Sequence, residues 1–456
     1  MRHLMKYLKQ VSGVSHTTIN PNSNHVIRIH LVPPLKPKPG LSWIVIINGQ
    51  DILPISVGWA VLLRELIREI NEHARSVFTE DDVEVLLSRT VVSAQGVFPK
   101  TKVVDLRNDL TEIIQVLFDI AEGKVPSREI GYMTFKEYGK YMPAPHRMDL
   151  MLSSMMNHNG WNCNQKCLHC YAGSQKYAVV NEMSTEEWKK VIDKCKEAAI
   201  SQLTFTGGEP TLRTDLVELV KYSEWFVTRL NTNGIKLSKT LCEELYVASL
   251  DAVQVTLYSH KESIHNFLVG SNHFNETITG IKNAVSTGLN VSINTPLCSL
   301  NKDYLDMVKY AYEELGVKSF TCSGLIVTGN AENTESKETS LTSEELLKIL
   351  TEVKEYTEER KIYFSFTTPG LVDEKDLVFL DLMVPSCGAC LSNMAIAPDG
   401  SVIPCQSWLS DEPLGNLLVD EFKTIWKSSK CKKIRNESLK VDHICQLSKK
   451  GGAVHE

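Results

Sequence analysis

The sequence predicts an α/β protein: a parallel sheet, open or curled into a partial barrel, between a small winged-helix-like domain and a cysteine-bearing module. Three observations carry this. Between Met148 and Gly324, six short apolar runs alternate with amphipathic stretches, the rhythm of strand-then-helix units. A proline-rich hinge, PPLKPKPG (33–40), separates two strand-like segments near the start. Cysteines gather in two places, CNQKCLHCY (163–171) and CGACLSNMAIAPDGSVIPC (387–405).

Each element follows from its pattern. HVIRIHLV, before the hinge, and SWIVIING, after it, read as strands; GWAVLLRELIREI then sets Leu62, Leu66 and Ile70 at helical spacing. Thr79 with Asp82 marks a further helix start, and SAQGVFPKTKVV (93–104) reads as a β-wing. This domain is expected over residues 1–140, ending at the linker-like YMPAPHR. The strands of the α/β region are MDLML, QLTFTG, WFVTRLNTNG, AVQVTLYS, NVSINTPL and KSFTCSG, with STEEWKKVIDKCKEAAI as one intervening helix, opened by a Ser184/Glu187 capping box. That region is expected over 146–345. Residues 346–380 read as a bridging helix, begun by Thr342 and Glu345, and a strand, KIYFSFTTPG. The turn-rich remainder, 381–456, is the third module.

Composition narrows the function. A formal charge of −6 over 456 residues argues against coating nucleic acid. The basic start, MRHLMKYLKQ, lacks the apolar run of a secretory signal, and WIVII is far short of the ~20 residues that span a bilayer. A cytoplasmic protein without membrane contact is expected. In that reducing compartment twelve cysteines point to metal binding or catalysis rather than to a disulfide framework.

Cys163, Cys167 and Cys170, spaced C-x3-C-x2-C, follow the first strand of the α/β region. Loops at the carboxyl ends of parallel strands are where such folds carry chemistry. Three thiolates on a tight loop suit a 4Fe–4S cluster with one iron left free. The alternative is a zinc site completed by His169 or by a distant residue.

This loop resembles the hallmark of the radical S-adenosylmethionine (SAM) superfamily, in which SAM itself chelates the free iron. The likeness continues in TFTGGEP (204–210), which resembles that family's GGEP motif. It implies a partial (β/α)6 radical SAM barrel. Gly207 and Gly208 would meet the SAM amino group, Glu209 would help hold that ammonium, and Tyr171 would lie against the adenine. His169 fills a position that is usually aromatic. NTNG implies that Asn231 faces the ligand; Thr256 replaces a serine that meets the ribose in relatives, Tyr258 stands where an acid usually does, and Asn294 is a further polar contact.

From Cys390 the carboxy-terminal stretch reads C-x9-G-x4-C, with Pro-Asp-Gly as a hairpin turn. It resembles the SPASM/twitch extension of radical SAM enzymes, which binds auxiliary iron–sulfur clusters. Only Cys431 and Cys445 follow, too few for two full clusters. The resemblance implies one auxiliary 4Fe–4S cluster on Cys387, Cys390, Cys405 and Cys445, with Cys431 read as a helix residue and an open iron as the alternative. Cys195, Cys242, Cys298 and Cys322 read as small buried hydrophobes.

The same resemblance implies reductive SAM cleavage to a 5′-deoxyadenosyl radical, an external one-electron reductant such as flavodoxin or ferredoxin, and hydrogen abstraction from a substrate. Relatives with this architecture modify ribosomally made precursor peptides, whose leader pairs with the small domain's sheet edge. A small-molecule dehydrogenase or oxidase acting on a sugar or cofactor precursor is the alternative. A non-catalytic zinc or iron–sulfur protein is the remote one.

Overall fold

The computed structural model describes all residues except 1, 12, 23–24, 35–36, 50, 74–78, 127, 140, 158–159, 334–337, 441–443 and 448–456. It divides into two compact units: Met1–Pro143 with Trp225–Val227, and Ala144–Glu224 with Thr228–Glu456.

The first unit holds a four-stranded antiparallel sheet in the order β1 (Ser15–Asn22), β2 (His25–Val32), β3 (Trp43–Ile47) and β4 (Asp51–Ile55). The sequence reading found the two central strands. It missed both edges, because β1 is polar and β4 is short and interrupted by Pro54, the kind of residue that edges tolerate. Every residue of β3 is buried. Helices Val57–Glu72, Glu80–Val97 and Val103–Ala121 share one apolar core with the sheet. The second begins on a Thr79/Asp82 capping box in which both reciprocal bonds are made.

The wing expected over 93–104 is not a wing. Ser93–Val97 is the last turn of the second helix, which stops just before Pro99, and Val103 opens the third. Two valines side by side read as strand, but here they lie exposed on a helix's first turn; the capped start at Thr79 and the block at Pro99 decide the local structure. The basic first segment is also a helix, Arg2–Gln10, with Leu4 and Leu8 buried.

The second unit is built on one ten-stranded sheet. From one edge its order runs β13 (Tyr363–Phe366), β12 (Ser319–Ser323), β11 (Asn290–Pro296), β10 (Ala252–Thr256), β9 (Val227–Thr232), β8 (Gln202–Gly207) and β5 (Arg147–Ser153), then β14 (Asn393–Ile396), β15 (Ser401–Ile403) and β16 (Gly415–Asn416). A short ladder, β6 (Met156–Asn157) with β7 (Gly160–Trp161), leads from β5 into the cysteine loop. The six expected strands are present in sequence order across the sheet. KIYFSFTTPG is a bridge only in sequence: as β13 it joins β12 in parallel and extends the same sheet. At the other edge β14 pairs in parallel with β5 and hands over to an antiparallel hairpin turned by Pro398-Asp399-Gly400. The carboxy-terminal module is thus continuous with the barrel.

Burial alternates from Thr228 along β9 and throughout β10 to β12. Leu230, Val253, Val255, Val291, Ile293, Phe320 and Cys322 are buried. The opposite face is polar and half-buried: Arg229, Asn231, Gln254, Thr256, Ser292, Asn294 and Thr321. Successive residues point to opposite faces of a sheet. One face therefore packs under the helices and the other lines the hollow of the barrel. Among the described residues no helix is long and apolar enough to cross a membrane.

Candidate functional site

The three-cysteine loop is clamped from two sides. The end of helix Glu262–Val269 accepts the loop's amides, Lys166 N–H to the Val269 carbonyl at 3.0 Å and Leu168 N–H to the Leu268 carbonyl at 2.9 Å. Gly270, at φ +62°, closes that helix so near the loop that a Cβ there would stand 2.5 Å from the Lys166 carbonyl oxygen. From the connection after β12, Asn330 donates its backbone N–H to the Cys170 carbonyl at 2.9 Å and its Nδ2 to the Cys167 carbonyl at 3.2 Å. Gly329 precedes it at φ +61°, and its missing Cβ leaves room for the carbonyls of Cys170 and Tyr171.

Cys163, Cys167 and Cys170 are half-buried and none of the twelve cysteines is in a disulfide. Burial pushes the Cys163 thiol up to about 12. Burial also raises Cys167, as do the charges of its two neighbours, and burial raises Cys170. Burial disfavours free thiolates here, so these three soft donors would be held as thiolates only by a cationic group bound to them. Among the described residues no three His, Cys, Asp or Glu side chains are drawn together as a single ion would hold them. Ligands of a 4Fe–4S cluster sit on separate irons and stand farther apart. The donor set and its spacing fit the cluster.

His169 is buried, its Nε2 is 2.8 Å from Thr339 Oγ1, and burial lowers its pKa to about 4, so the ring is neutral. Its ring lies 6.3 Å from that of Tyr258, which is itself buried beside Cys167 and Cys298. Tyr171 packs with Met151, Met155, Cys163 and Cys170; burial holds its phenol well above the usual range, with Cys170, Asp149 and Cys405 adding to the effect.

Gly207 and Gly208 use their bareness against the chain itself: Cβ atoms there would stand 2.5 Å from the Ser153 carbonyl oxygen and 2.7 Å from that of Ser154. This close approach carries Glu209 to the end of the sheet, where its N–H bonds Ser153 Oγ at 3.1 Å. The Glu209 carboxylate is 1% exposed. One oxygen accepts from Thr211 N–H (3.0 Å), Thr211 Oγ1 (2.6 Å) and Thr232 Oγ1 (2.7 Å), the other from Asn233 N–H (2.8 Å). Burial raises its pKa, and these bonds oppose the rise. Asn233 in turn donates to Asn164 Oδ1 at 2.6 Å, beside Cys163. Glu209 therefore ties the GGEP and NTNG loops together next to the cysteines. Asn231, Thr256 and Asn294 all lie on the hollow face, with Thr256, Asn294, Thr321 and Ser365 aligned across four strands. Asn233 and Asn330 escaped the sequence reading: NTNG offered two asparagines, and nothing local marks Asn330.

The carboxy-terminal thiols number five. Cys387 and Cys445 are buried around Trp408 and Leu447, with Cys405 packed against them. Burial raises Cys405, and so do Cys387 and Cys445. Cys390, at φ +52°, is fully buried. Cys431 is on a helix, Ser429–Lys440, as expected, but its sulfur lies beside the Cys390 thiol, and their interaction raises Cys390 and lowers Cys431. Arg435 donates to Cys431 Sγ at 3.6 Å. The remaining four cysteines, Cys195, Cys242, Cys298 and Cys322, are fully buried.

Comparisons with known proteins fall on the same segments. The model of the radical SAM superfamily matches residues 162–311, and that of the SPASM iron–sulfur cluster-binding domain matches residues 387–447. The chain is 34% identical over 153 residues to a probable GTP 3′,8-cyclase of Thermococcus kodakarensis, covering 33% of this chain and 50% of that protein. It is 25% identical over 285 residues to an AdoMet-dependent heme synthase of Oleidesulfovibrio alaskensis, covering 59% and 72%. The chain spans about half the length of the cyclase and of another curated relative. Its fold is similar to that of Streptococcus suis SuiB bound to the precursor peptide SuiA, with a TM-score of 0.58 and 14% identity over 92% of this chain and 90% of that one. Cluster loop, GGEP turn and carboxy-terminal thiols lie in the segments that these models cover: residues 162–311 form a radical SAM domain and residues 387–447 a SPASM iron–sulfur cluster-binding domain.

Proposed function

We propose that this protein is a radical SAM maturase that modifies a ribosomally made precursor peptide by crosslinking, epimerisation or oxidation. Cys163, Cys167 and Cys170 would hold a 4Fe–4S cluster whose free iron takes SAM; Cys387, Cys390, Cys405 and Cys445 would hold one auxiliary 4Fe–4S cluster. When bound, the first cluster supplies the electron that cleaves SAM to methionine and a 5′-deoxyadenosyl radical able to take hydrogen from an unactivated C–H bond. The chain's own residues do the positioning. Asn330 and the helix end at Leu268–Val269 fix the cysteine loop. Glu209 and Asn233 fix the loops beside it, and Gly207 and Gly208 let the GGEP turn pack closely on Ser153 and Ser154, beside which the SAM amino group would sit. Asn231, Thr256 and Asn294 offer polar contacts to SAM, with Tyr171 and His169 as aromatic walls. Holding the target carbon still and excluding other hydrogen donors is the protein's part of the rate.

The observation that carries the peptide reading is the fold likeness to the SuiB–SuiA complex over nine-tenths of both chains. Of the outer strands of the small antiparallel sheet, β1 is the edge to which an extended leader would add, since Met133 N–H already bonds the Ile52 carbonyl of β4 at 2.8 Å. The electron would come from a flavodoxin- or ferredoxin-like donor. A second reading, a small-molecule radical SAM enzyme, is favoured by sequence similarity to the GTP cyclase and the heme synthase. Incubation of the reconstituted, reduced protein with SAM and the small peptide encoded beside its gene separates the two. The peptide reading expects a mass change in the peptide matched to 5′-deoxyadenosine formed. No binding of that peptide at hundreds of micromolar would sink it and leave the radical chemistry standing.

A further inference from the structure

The barrel hollow contains a cation with no counter-ion. Arg229 lies on β9, on the same face as Asn231, one step farther from the cysteine loop. Its Nε is buried and makes no hydrogen bond, and no ion pair is formed by its guanidinium among the described residues. The acids whose charges reach it are committed elsewhere. Asp149, across the sheet on β5, is held by Arg147, with Nε 2.9 Å from one carboxylate oxygen and Nη2 3.3 Å from the other. Asp251 accepts from Thr228, N–H at 2.7 Å and Oγ1 at 3.1 Å. The remaining neighbour of note is Arg147, a like charge, with Tyr363 from β13 beyond it.

A half-buried guanidinium that faces the hollow without an ion-pair partner is only partly solvated, and an anion entering the hollow would neutralise it. A planar guanidinium is suited to gripping an oxyanion through two parallel hydrogen bonds. We propose that Arg229, with Arg147 beside it, binds an oxyanion of the substrate, a carboxylate or a phosphate, inside the barrel. This deepens the functional reading above and rests on the hollow being the substrate chamber. Arg147 and Asp149 lie between the SAM end of the sheet and the carboxy-terminal thiols: Asp149 bears on both the Tyr171 phenol and the Cys405 thiol. An anion held by Arg229 would anchor one end of a substrate whose other end reaches the cysteine loop.

The test uses the full chain and two probes, acetate and inorganic phosphate, against chloride at matched ionic strength. One probe or both should raise the melting temperature saturably, by roughly 2 °C or more, and the stronger of the two identifies the oxyanion. In Arg229→Met that rise should vanish, while the anion-free variant melts no lower than the parent because the arginine lost makes no ion pair or hydrogen bond with its side chain among the described residues. The SAM dissociation constant should stay within about twofold, a change of less than roughly 0.5 kcal/mol. No anion-specific rise in the parent, a clear loss of stability in Arg229→Met, or a tenfold weaker SAM affinity would each overturn the proposal. None of these readouts requires turnover, so the radical chemistry is tested separately.

Discussion

The two thiol clusters of this chain differ in how they are enclosed. The loop of Cys163, Cys167 and Cys170 is half-buried, and its backbone is held by elements remote in sequence, the helix end at Val269 and the turn at Asn330. The cluster of Cys387, Cys390, Cys405, Cys431 and Cys445 is largely buried around Trp408 and Leu447, and supplies more thiols than four irons need. A site short of one ligand but firmly positioned is built to accept a cofactor. A site with a surplus thiol is built to stay closed. On the function proposed above, the first would serve chemistry and the second would hold or pass charge.

Removing each cluster in turn tests this contrast most severely. Replacing Cys163, Cys167 and Cys170 by alanine should abolish 5′-deoxyadenosine formation and lower iron from about eight to about four per chain. Replacing Cys387 and Cys405 should remove the other four irons and leave uncoupled SAM cleavage. If the first variant still cleaved SAM at the parent rate, the roles assigned to the two clusters would be wrong.

Acid should weaken the support of the first site before the second. His265 lies in the helix that anchors the cysteine loop; it is fully buried, with Nδ1 accepting from Tyr258 N–H at 3.3 Å. Burial lowers its pKa to about 4, whereas the unfolded chain takes the proton near pH 6.5. Its contribution is complete above about pH 6.5 and is lost as the pH falls toward 4, on the order of 3 kcal/mol in all. Calorimetry of His265→Asn, which keeps an acceptor in that place, should show a flatter fall in stability over that window. An unchanged slope would remove His265 from the account.

Glu209→Ala should weaken SAM binding roughly ten- to a hundredfold, about 1.5–3 kcal/mol, with iron content intact. Its four hydrogen bonds hold two loops, so equilibrium dialysis with labelled SAM is the informative measurement. An unaltered dissociation constant would reduce Glu209 to a purely architectural role.

The smallest effect sharpens the surplus-thiol argument. Cys431→Ala should leave iron unchanged at about eight per chain, whereas Cys445→Ala should lower it or convert the auxiliary centre to an open-iron form visible by electron paramagnetic resonance. The reverse pattern would make Cys431 the fourth ligand, a role its contact with Cys390 permits.

Local chemistry and periodicity made much of this protein legible in its sequence. The barrel strands were marked by short apolar runs, helix starts by the Ser184 and Thr342 capping boxes, and the cofactor loop by a spacing with few other uses. All of these are short-range signals, in which neighbouring residues dictate the outcome. Where neighbours conflicted, the reading failed: Val103 and Val104 favour strand locally, yet the helix that begins there is set by Pro99 before it and by the core it joins. Other features had no local signal. Asn330 meets Cys167 from 163 residues away, and Cys431 meets Cys390 across a helix. The hollow face became visible only when strand registers aligned Thr256, Asn294, Thr321 and Ser365 into one row. The unpartnered charge of Arg229 is a tertiary fact in the same sense: the sequence supplies an arginine with acids nearby, and only the folded sheet commits those acids to other partners.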